Sequence, residues 1–170
     1  MKKGFTLIEI IIAAALASVV LTIGSYVLVT STKLYKNEIA RNKYMYYLKE
    51  ASMYIESEVQ NSEEIVYKGT VNEKYLKITS IEVNENKLTI HRAEQKIEAV
   101  PIDYRKEIFL NTQKNLVVTY YENSFNKGIN NITTHLKTFV CSKMGNIIYL
   151  SMESENGDRF ERCIEVSVLN

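Results

Sequence analysis

The chain has 170 residues, 46% hydrophobic and 24% charged, with 21 Lys and Arg against 20 Asp and Glu. That balance excludes disordered, collagen-like and low-complexity chains and gives no electrostatic case for a nucleic-acid partner. Two Cys, two His and six Gly exclude a disulfide-dense scaffold and a four-cysteine zinc site, and leave little material for a phosphate-binding loop.

The apolar residues are unevenly spread. Residues 10–32, IIIAAALASVVLTIGSYVLVTST, contain no charged side chain. As a helix these 23 positions rise roughly 35 Å, enough to cross a hydrocarbon core of about 30 Å. The flank Met1-Lys2-Lys3 is short and positive, which predicts a cytoplasmic N-terminus and an extracytoplasmic remainder. A secretory signal peptide has a shorter apolar core, of about 7–15 residues, followed by a small-residue cleavage site. Here the core runs straight into another helical pattern. Glu9 stands one residue before the charge-free run, where a carboxylate is costly and calls for a partner.

The string Lys2-Lys3-Gly4-Phe5-Thr6-Leu7-Ile8-Glu9 resembles the class III signal of type IV pilins and pseudopilins: a short basic leader ending in Gly, then Phe, with Glu fifth after the cut. The resemblance implies cleavage by prepilin peptidase between Gly4 and Phe5, N-methylation of Phe5, and retention of the apolar helix. It also implies that Glu9 meets the Phe5 amine of a neighbouring subunit, so that two charges costly in lipid neutralise one another in correct register. A plainer role for Glu9 alone is a carboxylate favoured by the helix macrodipole. Major pilins commonly carry Pro later in this helix. Residues 5–32 contain none, and Gly24 is the only helix-weakening residue there.

From Lys33 the chain becomes charged and Tyr-rich. Leu48, Ala51, Ile55 and Val59 recur at spacings of three and four, which predicts an amphipathic helix continuing to about Gln60 with that stripe under a sheet. Lys36, Glu38, Arg41, Lys43, Glu50, Glu56 and Glu58 are expected on its exposed flanks, and Tyr44, Tyr46, Tyr47 and Tyr54 in amphipathic packing. After Gly69 the period changes to two. Strands are expected at Tyr75–Val83, Lys87–Arg92, Lys96–Val100, Asn115–Tyr121, Leu136–Ser142, Asn146–Met152 and Arg159–Leu169. Residues 122–135 read as a polar loop, and Asn156-Gly157 as a two-residue hairpin turn. The expected fold is α+β: a leader at 1–4, a transmembrane assembly helix at 5–32, an amphipathic helix at 33–66, and an antiparallel β head at 67–170.

Few residues invite chemistry. A disulfide between Cys141 and Cys163 suits a secreted head, but a meander over 136–168 puts a third strand between them. That places them about 9–10 Å apart, beyond the roughly 7 Å reach of bridged Cα atoms. Free thiols are expected, and a disulfide requires another strand order. His91 and His135 have no partner at catalytic spacing. Glu153, Glu155, Asn156 and Asp158 form an acidic hairpin end, but their spacing fits no EF-hand loop. A solvated turn is expected there, with no metal and no cofactor. Asn131-Ile132-Thr133 fits a glycosylation pattern that short chains also meet by chance.

By resemblance, then, the chain is a structural subunit without enzymatic activity. Its implied partners are prepilin peptidase, other pilin or pseudopilin subunits, the assembly platform and the membrane it crosses once, with no nucleic acid. Its implied route runs from the cytoplasmic membrane, head outside, to a pilus at the cell surface. The head's length and final hairpin resemble minor pilins of the W type or J-type pseudopilins, and Glu9 argues against the tip-most subunit. Trimming Lys2 and Lys3 leaves 19 positive and 20 negative side chains. The alternative is a signal-anchored extracytoplasmic binding domain that never polymerises.

Overall fold

The computed structural model describes residues 6–61, 63–68, 72–84, 86–94 and 102–166. Helix α1 (Leu7–Gln60) is followed by β1 (Glu63–Lys68), β2 (Asn72–Asn84), β3 (Lys87–Glu94), β4 (Asp103–Leu110), β5 (Leu116–Glu122), β6 (Phe125–Thr133), β7 (Leu136–Met144), β8 (Ile147–Ser154) and β9 (Arg159–Glu165). One long helix with antiparallel sheets is the α+β arrangement expected. The chain divides into two compact units within α1, the first ending at Asn42 and the second beginning at Lys43.

In the first unit the helix presents its apolar side chains outward, Leu7, Ile11, Leu21 and Leu28 among them. Its hydroxyl groups turn back onto their own backbone. Ser18 donates to the Ala15 carbonyl, Thr22 to Ser18, Ser25 to Leu21 and Thr32 to Leu28, all at 2.7–2.8 Å. Such bonds satisfy polar groups internally, as a segment in hydrocarbon requires.

In the second unit β1 to β6 form a six-stranded antiparallel meander, and β7 to β9 a three-stranded one. Both sheets close on the same face of α1. Leu48, Ala51, Ile55 and Val59 join Ile81, Leu88, Ile90, Ile108 and Val118 of the larger sheet in one buried core. Phe139, Ile148, Leu150, Met152 and Ile164 of the smaller sheet complete it. The predicted stripe is the buried face, with Ser52 added. Burying each large side chain contributes about 1.5–3 kcal/mol. The two sheets are also joined directly, by the Leu136 amide donating to the Lys114 carbonyl at 3.0 Å and by Lys143 Nζ donating to the Ile81 carbonyl at 2.7 Å.

Several expectations need correction. Residues 63–66, grouped with the helix, begin β1, where Ile65-Val66-Tyr67 is β-branched and aromatic. The expected polar loop at 122–135 is a hairpin. Asn123 and Ser124 both take positive φ (50° and 69°), as a two-residue primed turn requires, and β6 follows. β6 is an edge strand exposed over most of its length, so it needs no apolar alternation. β4, which the sequence left unassigned, has Lys106 and Tyr104 in a face that elsewhere holds Ile108. The Asn156-Gly157 turn is one residue longer than expected, because Glu153 pairs with Arg159 and Gly157 carries the positive φ (88°) of a three-residue loop. The stretch 96–100 and the end of the last expected strand, 167–169, lie outside the described residues; β9 spans Arg159–Glu165.

Candidate functional site

The sequence points to the start of α1. Gly4 and Phe5 lie outside the described residues, so the site is built from Thr6 onward. Thr6 is the N-cap: its carbonyl accepts from the Glu9 and Ile10 amides at 3.1 and 3.4 Å. Glu9, three residues on, reaches back. Its Oε2 accepts the Thr6 amide at 2.8 Å and the Thr6 hydroxyl at 2.9 Å. This is the backward-reaching half of a capping box, in which an acidic side chain satisfies a backbone N–H that the helix leaves open. The Thr6-x-x-Glu9 spacing carries that signal in the sequence, beside the inter-subunit pairing and the macrodipole considered above for Glu9. The carboxylate is therefore held at the helix entrance, four residues after Phe5 along the chain.

A second set of groups fixes the other end of the helix, and sequence reasoning misplaced it. Glu56 and Glu58 were expected on wet flanks. Instead Arg162 of β9 donates to Glu56 Oε1 at 2.6 Å, and Glu58 sits beneath the larger sheet. There Lys106 Nζ donates to both carboxylate oxygens at 3.0 Å. Arg92 donates to Oε2 at 3.0 Å and to the Glu58 carbonyl at 2.9 Å. The Arg92 side chain is 3% exposed, Lys106 12% and Glu58 13%. Burial alone would raise the Glu58 pKa, but Lys106 and Arg92 outweigh it and hold the carboxyl below the usual range. Tyr54, one turn earlier, points its hydroxyl at that of Tyr120 at 3.5 Å. Burial, the Tyr120 hydroxyl and the Glu58 charge all push the Tyr54 phenol up. The only sequence hint of this cluster was Arg92 at an inward position of β3.

The remaining candidates are placed as follows. Cys141 is buried opposite Leu150, and Cys163 is exposed opposite Tyr149. The Gly145-Asn146 turn, with Gly145 at φ 59°, and the three-residue last turn set these pairings and keep β8 between the two strands, as the meander predicts. Leu150 is buried and Tyr149 is not, so the two thiols project from opposite faces of the small sheet with β8 between them. Desolvation pushes the Cys141 thiol up to about 12. His91 lies 3.5 Å from Asp103 across the β3–β4 ladder, and His135 lies 3.1 Å from Glu155 with its ring edge toward Tyr44. At the acidic hairpin end Glu153 takes Lys137 at 2.7 Å and Arg159 at 3.2 Å, which makes it a clamp between strands. Asn131 and Thr133 lie at the end of β6. Among the described residues no cluster has the makings of a metal site.

Comparison with known proteins agrees on the N-terminus. Residues 1–25 match the family model described as the prokaryotic N-terminal methylation motif. No curated protein and no solved structure matches the chain.

Proposed function

The chain is a type IV pilin-like protein, and from that premise we propose that it is a minor subunit of a type IV pilus, or of a secretion or competence pseudopilus. The motif implies processing by prepilin peptidase and pilin-type assembly. The proposed cut lies between Gly4 and Phe5, the methylated group is the Phe5 amine, and the helix stays on the mature chain as its membrane anchor. The observation that carries this reading is the motif at residues 1–25 opening an uninterrupted apolar helix, with Glu9 pinned in its first turn.

In the proposed assembly, Glu9 exchanges one intramolecular donor for the Phe5 ammonium of a neighbouring subunit. Pairing sets an ammonium, rather than a neutral donor, against the carboxylate, so that two opposite formal charges neutralise one another. A hydrocarbon surround strengthens that preference and sets the axial register between helices. The head does no chemistry in this scheme. Its last helical turns hold both sheets, and its size and final hairpin support the W-type or J-type assignment.

N-terminal sequencing and intact mass of the protein from membranes test the proposal. N-methylated Phe5 is the expected first residue. An intact Met1, or a cut near Thr30, would instead leave a signal-anchored or released binding domain and end the pilin-type assignment. The ratio of this subunit to others in sheared filaments tests its minor status, since a dominant band means a major subunit.

A further inference from the structure

We propose that the groove between α1 and the inner face of β5–β6 binds a neutral polyhydroxylated ligand, a saccharide residue. It rests on the head alone and is independent of the assembly reading. The cavity holds about 370 Å³, within the range of small-molecule sites. Glu50 and Tyr54 of α1 form one wall, and Val118, Tyr120, Asn130 and Ile132 form the floor.

The chemistry of the lining selects the ligand. Each phenol hydroxyl offers one donor and acceptor lone pairs, and those of Tyr54 and Tyr120, at 3.5 Å, are at the limit of bonding one another. A ligand hydroxyl that bridges both from the groove side, at the apex of a triangle with the two oxygens, gains two partners. The Asn130 carboxamide supplies two donors and an acceptor in one plane, and Glu50 supplies an acceptor already oriented by Tyr46, whose hydroxyl donates to Oε1 at 3.0 Å. The Tyr rings, with Ile132, provide the apolar surface on which the C–H face of a sugar ring rests.

Formal charge points the same way. Glu50 faces the groove as an anion and repels anionic ligands. The Lys106 ammonium, 5.4 Å from the Tyr120 ring centroid, is paired with Glu58 and so offers little attraction to offset that repulsion. A neutral ligand rich in hydroxyls escapes that repulsion. Beside the floor of the groove, the residue paired with Tyr120 on β6 is Gly128, which brings no side chain. Its φ of 154° favours glycine at that position.

The test uses the full chain in dodecylphosphocholine micelles, so that no sugar headgroup competes. N-acetylglucosamine, methyl glucoside and cellobiose are titrated and followed by amide shifts, with glucuronate as the anionic arm. The expected result is saturable shifts at Gly128, Asn130 and Tyr120 with a neutral sugar and none with glucuronate. Asn130→Ala and Tyr120→Phe each weaken binding about fivefold to tenfold, the loss of one bond to the ligand, while Lys137→Ala, outside the groove, leaves it unchanged. Unaltered amide spectra away from the groove confirm that each variant is folded. Shifts that never saturate, that map elsewhere, that arise only with glucuronate, or that persist unchanged in both groove variants overturn the proposal.

Discussion

Replacing Glu58 with Gln keeps the shape and most hydrogen-bonding capacity of the side chain but deletes its charge. Arg92 and Lys106 then lose the carboxylate they share, and Arg92, 3% exposed, has almost no access to water. Removing one partner of a buried pair costs about 3–5 kcal/mol. Lys106 and Glu58 each keep roughly an eighth of their surface, which places the expected loss at the lower end, about 3 kcal/mol. For a head of this size that is a fall of roughly 10 °C in Tm. The matched control is Glu56→Gln, whose pair with Arg162 is 23% and 33% exposed; it is expected to cost no more than about 1 kcal/mol. Thermal unfolding of the full chain in micelles, followed by near-ultraviolet Tyr circular dichroism, reads both. A third variant, Glu58→Leu with Arg92→Met and Lys106→Met, removes these three charges together and is expected to recover much of the loss. Equal losses for the two Gln variants, or a Glu58→Gln protein as stable as the parent, would refute the view that burial makes this cluster decisive.

The same cluster sets an acid limit. Because the Glu58 pKa is lowered in the fold, its stabilisation is complete above the ordinary carboxylate pKa and is lost as pH falls through the folded value. Stability is therefore expected to decline below about pH 4.5, with a shallower decline in Glu58→Gln when unfolding is repeated across pH. Ile55→Ala, at a fully buried position facing both sheets, should cost about 3–5 kcal/mol in urea unfolding; a loss under 1 kcal/mol would mean the stripe is not the core. Iodoacetamide at pH 8 should label Cys163 and leave Cys141 unlabelled until urea is added, as mass spectrometry of tryptic peptides will report. Glu9→Leu should still be trimmed to Phe5 yet be absent from sheared filaments, and its presence there would remove Glu9 from the assembly scheme.

What could be read from the sequence was what local periodicity encodes. The 3.6-residue stripe from Leu48 to Val59 lies on the core because α1 meets both sheets along one line. Strands β3 and β8 alternate because only one face of each is buried. β4 escaped notice since Lys106 and Tyr104 occupy inward positions, made tolerable by Glu58 arriving from α1. β6 escaped because an exposed edge strand needs no apolar face. The half capping box was legible as Thr6-x-x-Glu9, whereas the Glu58 cluster unites positions 34 and 48 residues apart along the chain, a pairing that only the tertiary fold creates.

The two carboxylates near the end of α1 sit two residues apart and fasten different sheets, Glu56 to β9 and Glu58 to β3 and β4. A pull along the helix axis is therefore divided at residues 55–59, half a helical turn separating the two points of attachment. Each sheet is loaded across several strands at once, through the core side chains and an ionic tie, so no single strand is peeled from its neighbour. Mechanically the head behaves as a clamp with two jaws on one shaft, and failure under tension requires both to slip together.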